Sequence, residues 1–331
     1  MSSTTTSTPS RASRTRLLAL ATAVLVLAVI ATRSGTGAAA VTVPQTGAYF
    51  GAYVQSYGGQ SLVQSAATFE KSLGRKLAIV NKYHDFSMTN YSDEASFIKS
   101  GHIVMISWHP TDGPADPNRA KKIASGQYDS VIRAAANGMK ALHGRVLLRW
   151  DFEMDQDPGQ VEYIGPPAQF IAAWRHMYTI FQQVGATNVE WVWAPRAQSF
   201  KTGLAQSYYP GAAYVDWIGG SAVPEHNLAS FYDIFHGSTG GFYAWASQQG
   251  KPLEVWVGVK EDPKSASWKA EWLSGLEATV KASMPKIKAV IYYNAYAPGG
   301  VQNYRANTSS QAWTAFRHLA LDPYFKPMPA G

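Results

Sequence analysis

Residues 146–159 read VLLRWDFEMDQDPG, and this stretch turns from apolar to acidic within a few positions. Val146, Leu147 and Leu148 suit a strand buried on both faces. Arg149, Asp151 and Glu153 alternate with Trp150 and Phe152, so they share one face if the strand continues. A solvated acidic loop after a core strand is the plainer reading. It leaves Arg149 without a reason, because an arginine directly after buried residues needs a partner. In parallel α/β proteins the chemistry sits where the strands end.

From residue 41 onward, strand-like and helix-like segments alternate with a spacing of roughly 30–40 residues. The strand segments are 48–54, 77–81, 103–108, 146–153, 189–193, 214–218, 253–259 and 287–293. Helical spacing marks 61–73, 93–99, 129–142, 168–184, 267–284 and 310–321, together with 231–249, which is interrupted by glycines at 237–241. Pro167 opens one of these helices and Gly185 stops it. Eight strand–helix units predict an α/β fold, a single (β/α)8 TIM barrel spanning 41–331. A doubly wound sheet would carry a glycine-rich phosphate loop after its first strand, and none is present.

Residues 1–40 read as an export signal peptide. Arg11, Arg14 and Arg16 precede an apolar run over 17–32, and Ala38-Ala39-Ala40 offers a cleavage site. Secretion is the expectation, and an uncleaved membrane anchor at 17–32 is the alternative. The run is short for a membrane span. The formal charge of +7 owes much to this leader, which holds four arginines and no acid. No basic stripe points to nucleic acid. There are no cysteines, so disulfides, thiolate metal sites and thiol nucleophiles are excluded. With 13% aromatic residues, the chain has rings to spare for stacking on sugars, although a large core also uses them.

Collecting the strand ends gives Trp108, His109, Arg149, Glu153, Trp193, Trp217, Trp256 and Tyr293. Carboxylates with aromatic walls suit glycoside hydrolysis, in which one carboxyl protonates the leaving oxygen and another attacks or activates water. No spacing favours a metal site, no cofactor is needed, and a monomer is expected. The partner is a polysaccharide or oligosaccharide.

Residues 149–155, RWDFEMD, resemble the Arg-x-x-His-Glu-Met-Asn signature of glycoside hydrolase family 26, mostly β-mannanases with some β-glucanases and xylanases. Residues 170–176 (FIAAWRH), 185–195 (GATNVEWVWAP), 209–217 (YPGAAYVDW) and 322–325 (DPYF) extend the likeness over most of 47–325. The resemblance implies a (β/α)8 barrel and a retaining double displacement. It makes Glu153 the general acid/base and Arg149 its companion. The family's histidine is Phe152 here, its asparagine is Asp155, and its strand-seven nucleophile falls on Trp256. The sixth-strand tyrosine is replaced by Ala222-Val223.

Two nearby acids compete for the vacant role. Glu254, two residues before Trp256, is expected in the barrel interior beside Arg149. Glu261, past the strand end, is the candidate second catalytic carboxylate if its loop folds back. The expectation is a secreted hydrolase of a β-linked polysaccharide, with Trp108, His109, Arg149, Trp193, Trp217, Trp256 and Tyr293 holding substrate. The alternative is a degenerate barrel that binds glycan without efficient cleavage.

Overall fold

A computed structural model describes residues 41–113, 116–158, 160, 163–223, 229–237 and 241–327. The segment read as an export signal or anchor lies outside the described residues. The chain runs β1 (Ala48–Val54), α1 (Leu62–Leu73), β2 (Ile79–His84), α2 (Ser92–Lys99), β3 (Ile103–Trp108), α3 (Arg119–Ala124), α4 (Asp129–Ala141) and β4 (Val146–Trp150). It continues with α5 (Pro167–Val184), β5 (Val189–Trp193), α6 (Leu204–Ser207), β6 (Trp217–Ala222), α7 (Phe231–Phe235), α8 (Phe242–Ala246), β7 (Leu253–Val257), α9 (Trp268–Ala282), β8 (Ile287–Asn294), α10 (Ser310–Leu321) and β9 (Phe325–Lys326). Every strand pairs in parallel with the next, and β8 returns to β1, which also pairs with β2. The sheet therefore closes as an eight-stranded barrel wrapped by helices, and β9 adds to the start of β1.

The buried residues divide by strand parity. Tyr49, Ile79, Ile103, Met105, Leu147, Val192, Ala289 and Ile291 fill the barrel interior. Their sequence neighbours Phe50, Val80, Val104, Val146, Leu148 and Val290 face the helices. Successive strand side chains point to opposite faces, so both faces are apolar and the strands read as unbroken apolar runs.

Several sequence expectations move. The second strand runs Ile79–His84 and not 77–81, and the helix expected over 231–249 forms the short α7 and α8 among the described residues. The sixth strand begins at Trp217 and not at Tyr214, which ends a 3-10 turn over Ala212–Tyr214. It runs through Gly219 and Gly220, residues that normally mark a turn. They are in the strand because there is no room for a side chain. A Cβ on Gly219 would stand 2.4 Å from Glu254 Oε1 and 2.7 Å from Ala194 Cβ, and one on Gly220 would stand 2.9 Å from Phe242 Cδ2. The fourth strand ends at Trp150 and does not reach Glu153. Asp151 and Glu153 take left-handed φ values of 45° and 60°, so the alternation expected through 153 breaks there.

Candidate active site

The break after β4 sets the position of Glu153. The Asp151 amide donates to Trp108 O at 3.0 Å, and the Glu153 amide donates to Ala194 O at 2.9 Å. The turn is thus tied to the ends of both neighbouring strands. Non-glycine residues with left-handed φ are uncommon and cluster at functional sites. Asp155 is buried and braces the same turn, accepting from the Arg196 amide at 3.0 Å. Burial raises its carboxyl above the usual range.

Glu153 faces a cleft of about 730 Å3 at the carboxyl ends of the strands. That size suits a small-molecule or oligomer site, about 300–1,000 Å3. The walls are aromatic. Tyr53 and Tyr293 stack with centroids 5.6 Å apart, and Tyr83 meets Tyr53 edge-on at 4.9 Å. His109 stacks on Tyr83 at 5.7 Å, Phe152 packs edge-on against both, and Trp256 lies 5.0 Å from Tyr293. Glu153 is the one carboxylate among the described residues lining this cleft. Burial pushes the Tyr293 phenol up to about 12 and Tyr83 well above its ordinary value, so both stay neutral donors.

Arg149 lies beneath that wall, fully buried. Its Nη1 donates to Ser107 Oγ at 3.3 Å and its Nη2 to Ser221 Oγ. Its guanidinium carbon sits 4.4 Å from the Phe152 ring and 5.0 Å from the Trp256 ring. Its Nε is 3.9 Å from Glu254 Oε1. Glu254, fully buried, is raised to about 7, because burial outweighs the nearby guanidinium. Both of its oxygens are without a hydrogen-bond partner among the described residues.

Of the residues expected at the site, His109, Glu153, Trp256 and Tyr293 line the cleft together. The others do not. Arg149 is roofed by Phe152 and Trp256, so it supports the floor and does not touch a ligand there. Trp108 and Trp193 have outward parity. Trp108 stacks on Phe86 and donates to its carbonyl, and Trp193 packs among Phe200, Tyr209 and Trp245. Trp217 points inward, but as the first residue of β6 it closes the opposite end of the barrel, donating to Glu190 Oε2 at 2.7 Å. Glu261 is absent from the cleft lining. It accepts from Thr308 Oγ1 at 2.5 Å, and Thr308 in turn receives Lys269 Nζ at 2.9 Å.

Tyr53, Tyr83, Tyr296 and Tyr304 line the cleft without having been singled out in the sequence. Tyr53 was within reach, since it shares the inward parity of Tyr49 on β1. Tyr83 was hidden because β2 continues past residue 81 to His84.

Fold and cleft together define a (β/α)8 barrel with an aromatic cleft and one carboxylate at its strand ends, among the described residues. The fold is similar to that of solved glycoside hydrolase family 26 structures. No family model matches the chain. The structure is similar to the catalytic domain of a family 26 endo-β-1,4-mannanase from Bacillus sp. JAMB-750, with a TM-score of 0.67 at 16% identity, covering 85% of this chain and 88% of that one. It is also similar to a family 26 β-mannanase from Bacteroides ovatus, with a TM-score of 0.61 at 14% identity, covering 86% and 91%. In sequence it is 27% identical over 285 residues to Endoglucanase H of Acetivibrio thermocellus, covering 82% of this chain. The chain spans 30% of that protein's length.

Proposed function

We propose that this protein is a glycoside hydrolase acting on a β-linked polysaccharide, of mannan or glucan type, with Glu153 as the general acid. The observation that carries the reading is the placement of Glu153 as the cleft's carboxylate, anchored through its backbone to β5 and ringed by aromatic faces. Those faces take the apolar sides of sugar rings. A carboxylic acid there protonates the glycosidic oxygen as its bond to the anomeric carbon breaks. The relatives named as mannanases and an endoglucanase support the same substrate class. Export by the leader at 1–40 fits a polymeric substrate that cannot enter a cell.

A second reading, binding without efficient cleavage, is favoured by Trp256. It occupies the position that the family resemblance gives to the nucleophile, and a double displacement loses its covalent route without a carboxylate there. One experiment separates the two. The full chain is incubated with β-mannan, β-glucan and xylan, and new reducing ends and retention on the insoluble polymer are both measured. Reducing ends from one polymer, lost in Glu153→Gln, support the hydrolase. Retention on a polymer with no reducing ends supports the binder.

A further inference from the structure

A second cavity, of about 300 Å3, lies outside the barrel beside the cleft. Tyr57, Ser72, Asn294, Arg305, Asn307 and Trp313 line it. The two cavities share a wall. Tyr293 and Tyr304 face the cleft, while the next residues along the chain, Asn294 and Arg305, face the second cavity. Arg305 ties the wall together. Its guanidinium carbon is 4.8 Å from the ring of the cleft residue Tyr296, and its Nη2 donates to the Tyr296 hydroxyl at 3.3 Å.

The cavity's lining sets aromatic rings beside amide and guanidinium groups. Trp313 is held rigid, stacked on Phe316 at 6.0 Å and edge-on to Phe69 at 5.9 Å. Tyr57, 38% exposed, supplies a second ring, and its backbone amide is fixed by Ser65 Oγ at 3.2 Å. Asn294 is buried, and its side-chain Oδ1 already accepts from the Ala306 amide at 2.8 Å. Arg305 Nε is buried with no hydrogen-bond partner among the described residues. Rigid aromatic faces flanked by amide and guanidinium donors are complementary to a pyranose ring, which has C–H faces and an equatorial rim of hydroxyls.

We propose that this cavity is an outlying sugar site, taking a neutral pyranose unit of the same polysaccharide chain that occupies the cleft. The proposal rests on the reading of the cleft as a glycan site. It means that chain length, and not only the sugars next to the scissile bond, sets affinity.

The test is calorimetric binding to full-length Glu153→Gln, expected to slow turnover by about 10²–10⁴, using a disaccharide and an octasaccharide of each of the mannan, glucan and xylan series. Trp313→Ala and Tyr57→Ala are added in turn. Tyr57 is exposed, so its variant keeps the question open if Trp313→Ala fails to fold. The expected result is about a tenfold weaker octasaccharide Kd in each variant, the effect of truncating an anchoring aromatic, with the disaccharide Kd unchanged. Octasaccharide binding that is equal in parent and variants overturns the outlying site and leaves the cleft reading intact. Failure of every sugar to bind the parent overturns the cleft reading, and the outlying site falls with it.

Discussion

Arg149 Nε stands 3.9 Å from Glu254 Oε1, inside the barrel and directly under the rings that floor the cleft. This is an ion pair with two missing hydrogen bonds, since neither oxygen of Glu254 has a partner among the described residues. A buried pair of this kind contributes little net stability, but breaking it on one side is costly.

Arg149→Met is therefore expected to lose about 3–5 kcal/mol, because Glu254 is left buried and unpaired. Adding Glu254→Met should return most of that loss. Urea midpoints of the two single variants and the double variant check this. Additive losses would mean that the two side chains do not interact.

The same pair gives a pH signature. Glu254 titrates near 7 when folded and near an ordinary carboxyl value when unfolded. Between those values the folded state holds more protons than the unfolded chain, so Glu254 makes stability fall as pH rises through this window. Below the unfolded value its contribution is fully present, and above about 7 the loss is complete. Melting temperatures of the parent and Glu254→Gln, taken from pH 4 to 8, should converge or cross as that slope disappears from the variant. Parallel curves would exclude a raised Glu254.

Gly219 is a steric prediction. Its missing Cβ would meet Ala194 Cβ at 2.7 Å as well as the Glu254 carboxyl. Gly219→Ala is expected to cost about 1–3 kcal/mol by overpacking, read from chemical denaturation. A neutral effect would show that the β6–β7 seam is looser than described.

Trp256→Glu places a carboxylate where the family resemblance puts the nucleophile, beside the Arg149 guanidinium that would hold it ionised. Under the hydrolase reading, kcat/KM on the favoured polysaccharide rises and the product keeps its anomeric configuration, as followed by NMR. No gain with a folded variant would mean that the parent cleaves by a route that does not use this position.

The barrel was legible because its strands are apolar on both faces, and a run such as VLLRW or IVMISW says so without a structure. Glu153 was legible because a carboxylate follows such a run. Position at a strand end does not by itself say which way a side chain turns; parity along the strand does. Trp108 and Trp193 sit at strand ends but turn outward, while Tyr53 and Tyr83 turn inward. Trp217 misleads for a different reason. Gly219 and Gly220 look like a turn, so the sequence places the strand at 214–218 with Trp217 near its carboxyl end, whereas Trp217 is the first residue of the strand. Glu261 depended on a loop folding back, and in the structure its carboxyl accepts from Thr308 instead.

The central claim is that Glu153 delivers a proton to the leaving oxygen. The direct measurement compares Glu153→Gln with the parent on the favoured polysaccharide and on an aryl glycoside of the same sugar whose dinitrophenolate leaves without protonation. The predicted result is a loss of about 10²–10⁴ in kcat/KM on the polysaccharide and little change on the aryl glycoside. An equal loss on both substrates, or no loss on either, would contradict Glu153 as the general acid.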